Sequence, residues 1–252
     1  IEDYEGTSGK LEQVKDLIAT AITNKRRILL FSQFTGMLTI LEQALAEMGV
    51  STFYLRGSTP PKERVEMVDA FNAAGMDIAV FGNHEFDINE DELQSRINES
   101  NFKWVSSNSF HKTDKGIGPF VQMINNQAVP FPETLILPVI DADGTTAKIG
   151  FLGINIPFTK KDYVSYTDPL QTALKLYNQI KDSCDAVVAI THQAMEDDIK
   201  LAKELPGLAL IIGGHEHDMR YQKVGNVIIS KAHANARSVY ELKLHINKNN
   251  KK

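Results

Sequence analysis

Three short apolar runs in this chain each end in side chains that can hold a cation or move a proton. Ile78-Ala79-Val80-Phe81 leads into Gly82-Asn83-His84-Glu85-Phe86-Asp87. Ala186-Val187-Val188-Ala189-Ile190-Thr191 leads into His192, and Leu208-Ala209-Leu210-Ile211-Ile212 into Gly213-Gly214-His215-Glu216-His217. Unbroken apolar runs of this length read as buried strands. Residues at the carboxyl ends of such strands stand where open α/β sheets keep their chemistry. Imidazole nitrogens are donors for zinc, copper, iron or nickel, and oxygens suit harder cations. The spacing therefore predicts one metal centre on a sheet edge.

The elements that would position these residues follow from the pattern around them. Lys10 to Thr23 carries Leu11, Val14, Leu17, Ile18 and Ile22 at helical spacing. A strand at Arg27 to Phe31 precedes a helix with Met37, Leu38, Leu41, Leu45 and Met48 on one face, closed by Gly49. A strand at Thr52 to Leu55 and a helix opened by Thr59-Pro60-Pro61 lead to the run before Asn83. This alternation implies right-handed crossovers and a parallel sheet. Further on, Glu90 to Ile97 reads as a helix and Lys103 to Ser106 as a strand. Thr134 to Ile140 and Lys148 to Ile154 read as a hairpin around Asp141-Ala142-Asp143-Gly144. Asp168-Pro169 opens another helix, and Glu196 to Glu204 forms one between the two histidine-bearing strands. Val227 to Ile229 and Val239 to Leu244 are expected to close the fold as antiparallel strands.

Composition narrows the classes. The chain has 252 residues and a formal net charge of −5, so no general attraction to nucleic acid is expected. Cys184 is the only cysteine, which excludes an intramolecular disulfide and a thiolate cluster. No apolar run is long enough to span a bilayer, and the first residues carry no signal core, which points to the cytoplasm for the chain as given. His111 and His233 lie in polar stretches and read as loop residues.

From Phe71 onward the chain resembles the calcineurin-like metallophosphoesterases, and among them the catalytic domain of 5'-nucleotidases. Gly82-Asn83-His84-Glu85, Thr191-His192 and Gly213-Gly214-His215-Glu216-His217-Asp218 carry the likeness, in the family's order. Residues 1 to about 72 resemble instead the second ATPase lobe of Swi/Snf-type helicase-like enzymes. That second likeness rests on Ser8-Gly9-Lys10-Leu11, Leu30-Phe31-Ser32-Gln33-Phe34-Thr35, Gly57-Ser58-Thr59-Pro60, Glu63-Arg64 and Phe71-Asn72. No phosphate-binding Gly-x-x-x-x-Gly-Lys-Ser/Thr occurs, so ATP-driven translocation is not expected. The chain thus looks like a chimera: 1–72 helicase-like and 73–252 phosphoesterase-like, within one folded domain. The fold implied is an α/β sandwich of the metallophosphoesterase type, with a helicase-lobe-like segment replacing its first β-α-β-α portion.

The resemblance also implies a chemistry. Asn83, His192 and His215 would ligate one divalent metal, zinc, manganese or similar, and His217 a second. His84, oriented by Asp87, would stabilise the transition state or protonate the leaving group. The substrate implied is a small phosphorylated molecule, a nucleotide by the 5'-nucleotidase likeness. Family members of that type are often exported. The chain departs from the pattern earlier on. Gln33 and Thr35 stand where an Asp-x-His is expected, and Ser58 where a Gly-Asp pair should supply a bridging carboxylate. The expectation is an impaired hydrolase with one metal site rather than two. The rival expectation is a non-catalytic binding module with a residual mononuclear site.

Overall fold

The computed structural model describes residues 35–50, 77–141, 144–234 and scattered positions in 11–19 and 238–246. Side chains are described from residue 40 onward within the first of these spans. The chain divides into two compact units, 1–70 with 236–239 and 71–235 with 240–252.

In the first unit, the described residues between 11 and 19 are helical, and Thr35–Glu47 forms helix α1. Leu41 and Leu45 are buried, as helical spacing predicts, whereas Met48 is exposed. Gly49 adopts φ +70, with Gly49 N–H donating to Ala46 O at 3.0 Å and Val50 N–H to Leu45 O at 2.9 Å. These two bonds satisfy carbonyls that the last helical turn leaves open, and glycine adopts the required left-handed conformation at least cost. The strands expected at 27–31 and 52–55, and the helix after Thr59, lie outside the described residues.

The second unit is built on a mixed six-stranded sheet. In chain order the strands are β1 (Ile78–Ala79), β2 (Lys103–Trp104), β3 (Ser109–Thr113), β4 (Gly116–Gly118), β5 (Val121–Ile124), β6 (Gln127–Pro130) and β7 (Thr134–Ile140). They continue as β8 (Thr146–Asn155), β9 (Val164–Tyr166), β10 (Ala186–His192), β11 (Leu210–Gly213), β12 (Arg220–Val224) and β13 (Val227–Lys231). The helices are α2 (Glu90–Glu99), α3 (Pro169–Ile180) and α4 (Met195–Glu204). The large sheet runs β12-β13-β11-β10-β8-β7. Its centre is parallel, with β10 between β8 and β11, while β7 and β12 pair antiparallel at the edges.

Helices α3 and α4 are the crossovers that keep β8, β10 and β11 parallel. Asp168 opens α3 by accepting a bond from Gln171 N–H at 2.8 Å, ahead of Pro169. Ala173, Leu176 and Ile180 of α3 and Leu201 and Ala202 of α4 pack on Leu152, Ile154, Val187, Ala189, Ile211 and Ile229. A second cluster, rich in aromatic rings, joins Phe81, Phe86, Phe120 and Phe131 to Leu93 and Ile97 of α2. Asn89 caps α2 by accepting from Glu92 N–H at 2.9 Å.

Three local expectations change. The run at Ile78 yields only the two-residue β1, paired parallel with β2 rather than with the large sheet. Val227–Lys231 finds its antiparallel partner in Arg220–Val224, and the described residues from 240 to 246 are not strand. The partner strand Arg-Tyr-Gln-Lys-Val is largely exposed and polar, so it carries little apolar signal. His111 lies on β3, stacked on Phe120 and paired with Glu90 Oε1 at 2.6 Å.

Candidate metal centre

β10 ends at His192, and β11 runs into the turn that carries His215 and His217, so parallel pairing of the two strands brings these histidines to one edge. Ring centroids of His192 and His215 are 5.3 Å apart, at 72°. Asn83 comes to the same place from the end of the β1 run. It is 3% exposed, and its Oδ1 lies 2.9 Å from His192 Nε2. His84 faces His217 with 6.3 Å between ring centroids. These contacts join Asn83, His192 and His215 in one set and His84 with His217 in a second.

Asp87 enters through His84: its Oδ2 lies 2.6 Å from His84 Nδ1. A short 3₁₀ turn, His84–Phe86, sets this spacing, anchored by Phe86 buried in the aromatic cluster. The pair itself is open to solvent, with side chains 63% and 56% exposed. The loop after β8 grips the same turn. Thr159 Oγ1 donates to Asn83 O at 2.8 Å, Lys161 Nζ to Asp87 O at 3.1 Å, and Tyr163 OH to Ile88 O at 2.8 Å. Buried Asn155 at the end of β8 donates to Gly82 O at 3.2 Å and is itself held by Asn108.

Two glycines make room for the His192 ring. A Cβ on Gly82 would lie 2.8 Å from His192 Cε1, and one on Gly214 would lie 3.2 Å from its Nδ1. Burial holds His192 well below the ordinary histidine range, at about 4, and the neighbouring His215, His84, Lys231 and His217 push the same way. It is therefore neutral at neutral pH, the form that can donate a lone pair to a cation.

In the set Asn83, His192 and His215, one pair of donors has the spacing that a shared divalent cation requires. Two donors bonded to one cation at about 2.0–2.1 Å each stand roughly 3 Å apart, close to the 2.9 Å between Asn83 Oδ1 and His192 Nε2. Among the described residues no three His, Cys, Asp or Glu side chains form such a group by themselves, so the set depends on the Asn83 amide. Gln33 and Ser58 lie outside the described residues, as does the Thr35 side chain.

One part of the site was not anticipated from the sequence. Lys231, at the end of β13, is 1% exposed and lies 2.8 Å from Asp198 Oδ2 and 2.9 Å from Glu216 Oε2. Asp198 is buried in α4, and burial pushes its carboxyl above the usual range against the pull of Lys231 and Gln193. A charged residue closing an apolar strand, with a glutamate between two histidines, was the available signal. Nothing local in the sequence pairs them.

Comparison with known proteins follows this geometry. Residues 32–219 match the calcineurin-like phosphoesterase family. Human 5'-nucleotidase is 26% identical over 165 residues, which is 62% of this chain and 26% of that protein. The ATP-dependent helicase fft2 of Schizosaccharomyces pombe is 43% identical over 74 residues, 29% of this chain and 6% of that protein. The chain therefore spans only about a quarter of the nucleotidase and far less of the helicase. Among solved structures, sulfate thiohydrolase SoxB of Thermus thermophilus superposes with a TM-score of 0.54 at 17% identity, over 79% of this chain and 37% of that one. This last likeness concerns the fold alone.

Proposed function

Because the chain belongs to the calcineurin-like phosphoesterases, hydrolases that use divalent metals, we propose that it hydrolyses a small phosphomonoester at the Asn83–His192–His215 cluster. The observation that carries this reading is the meeting of three separate segments on one edge, with the His84–Asp87 pair beside them. Asn83, His192 and His215 would hold one cation, and His217 would serve a second. A bound cation would lower the pKa of a coordinated water and neutralise charge on phosphate oxygens.

The remaining chemistry belongs to the protein. Asp87 Oδ2 would accept from His84 Nδ1–H and fix the ring, and a His84 carrying protons on both nitrogens would present Nε2–H to stabilise or protonate the departing oxygen. The openness of that pair suits a substrate arriving from solvent. The nucleotidase relatives support a nucleotide as the phosphomonoester. The chimera reading, helicase-like to about residue 72 and phosphoesterase-like from 73, is supported by the short helicase match and the longer nucleotidase match. In this reading Gln33, Thr35 and Ser58 replace two carboxylates and an imidazole, so the centre binds one cation and turns over slowly.

A second reading, a non-catalytic module with a residual mononuclear site, is favoured by one observation: Gln33, Thr35 and Ser58 stand where three of the family's ligands are expected. Release of phosphate from AMP and from p-nitrophenyl phosphate, with and without Mn²⁺, separates the two. Metal-stimulated turnover that falls about 10²- to 10⁴-fold in His84→Ala supports hydrolysis. A flat response across metal concentrations supports the module. If the impairment has the stated cause, the combined variant Gln33→Asp, Thr35→His, Ser58→Asp raises turnover by orders of magnitude; an unchanged rate rejects that explanation.

A further inference from the structure

A second set of charges lies next to the histidines, and the proposed phosphate chemistry does not use it. Lys231 Nζ reaches Asp198 Oδ2 at 2.8 Å, Glu216 Oε2 at 2.9 Å, Glu216 Oε1 at 3.1 Å and Gln193 O at 2.6 Å. Gln193 Nε2 donates to Asp198 Oδ1 at 2.9 Å, and Met195 N–H donates to Glu216 Oε1. Side-chain exposures are 1% for Lys231, 0% for Asp198 and 10% for Glu216. The lysine stem passes over Gly213, where a Cβ would meet its Cε at 2.8 Å and its Cγ at 3.0 Å. The backbone of β11 is shaped to admit it.

Two of the partners of Lys231 adjoin proposed ligands, and the third, Asp198, comes from α4. Glu216 lies between His215 and His217, and Gln193 follows His192. Desolvating ions costs several kcal/mol apiece, and apolar replacements of buried ion pairs are often as stable. Stability alone is therefore a poor reason for this arrangement. The backbone supplies a better one: His215 and His217 both have positive φ, at 93° and 66°. Side-chain-bearing residues rarely adopt that region, and such conformations persist only where surrounding contacts impose them. Glu216 is the residue between them, bonded to Lys231, to the Met195 N–H and, at 3.5 Å, to Arg220.

We propose that Lys231, Asp198 and Glu216 form a positioning network that holds the His215-Glu216-His217 segment in the left-handed backbone that aims its imidazoles at the cation. The inference rests on the metal-site reading above and adds residues that do not touch the metal or the substrate. Lys231 is the hub, Asp198 fixes the hub from α4, and Glu216 transmits the restraint to the loop. Arg220, half-exposed and 3.5 Å away, contributes little to the restraint.

The test measures Mn²⁺ affinity by calorimetry in wild type, Glu216→Gln, Lys231→Met and Arg220→Gln. Histidine Cε1–Hε1 resonances are recorded in the same proteins after chelation. Glu216→Gln keeps the size of the side chain and an acceptor for the Met195 N–H, so it removes the charge tie selectively. Affinity is expected to fall about 10- to 100-fold in Glu216→Gln and Lys231→Met, as when residues supporting a ligand are lost. Resonances of His215 and His217 are expected to move or broaden without metal, while Arg220→Gln stays within about threefold of wild type. Wild-type affinity with unmoved resonances in a folded Glu216→Gln overturns the proposal. Loss of folding in Glu216→Gln also overturns it, since the cluster would then hold the fold rather than the loop. If Lys231→Met does not fold, Glu216→Gln decides. If wild type binds no Mn²⁺, the metal reading falls, and the resonances of the metal-free proteins still decide whether the network holds the loop.

Discussion

Single residues set the tolerance of the site. His192 is hemmed in by Gly82 and Gly214, and a methyl group at Gly82 would overlap Cε1 and Nδ1 at 2.8 and 2.9 Å, and Glu85 Oε2 at 2.8 Å. Gly82→Ala should therefore displace the ring and weaken Mn²⁺ binding at least tenfold, read by calorimetry, with a smaller change in the unfolding midpoint. The same ring makes the metal-free protein acid-sensitive. Its folded value is about 4, below the ordinary value near 6.5. Below pH 6.5 the unfolded chain binds a proton that the folded chain refuses, so stability present above 6.5 is lost as pH falls toward 4. Urea midpoints in chelator should drop between pH 7.5 and pH 5, and the drop should be smaller in His192→Asn. An equal drop in both proteins would show that other groups are responsible.

At the scale of elements, the fold that carries the site depends on how tightly β8 packs and how firmly α3 is capped. Gly153 of β8 faces the Val105 carbonyl, and a Cβ there would lie 2.4 Å from Val105 O and 2.8 Å from Val80 Cγ1. Backbone cannot give way as a side chain does, so Gly153→Ala should destabilise by roughly 1–3 kcal/mol, the range of overpacked cores. Asp168→Ala removes the cap of α3 and should lower stability by about 1 kcal/mol in denaturant titration. Because α3 carries none of the proposed ligands, Mn²⁺ affinity of the folded Asp168→Ala protein should match wild type.

Across the whole molecule, a cation bound to the folded state alone must stabilise it. At about 100 times its dissociation constant it adds about 2.7 kcal/mol. The thermal midpoint should rise with Mn²⁺ in wild type and stay flat in the combined Asn83→Ala, His192→Ala variant. A rise of equal size in that variant would place the binding elsewhere. No helix among the described residues is long and apolar enough to cross a membrane.

How much of this was legible beforehand differs between the local and the distant. The hairpin β7–β8, helices α2, α3 and α4, and the strands ending at His192 and before His215 follow from apolar period and capping residues, because those signals act over a few residues. The types of the proposed ligands were equally open to view, since imidazole and amide chemistry belongs to the residue itself. β12 was not legible, for its exposed polar residues take strand form only through hydrogen bonds to β13. Nor was the pairing of Lys231 with Asp198 and Glu216, three residues brought together from a strand, a helix and a turn. Sequence by itself determined which side chains could bind a cation and which segments with a local apolar pattern would be helix or strand. Tertiary structure alone decided which of those side chains meet, and which buried charges hold them there. Contact across tens of residues depends on how layers pack, and no local pattern encodes it.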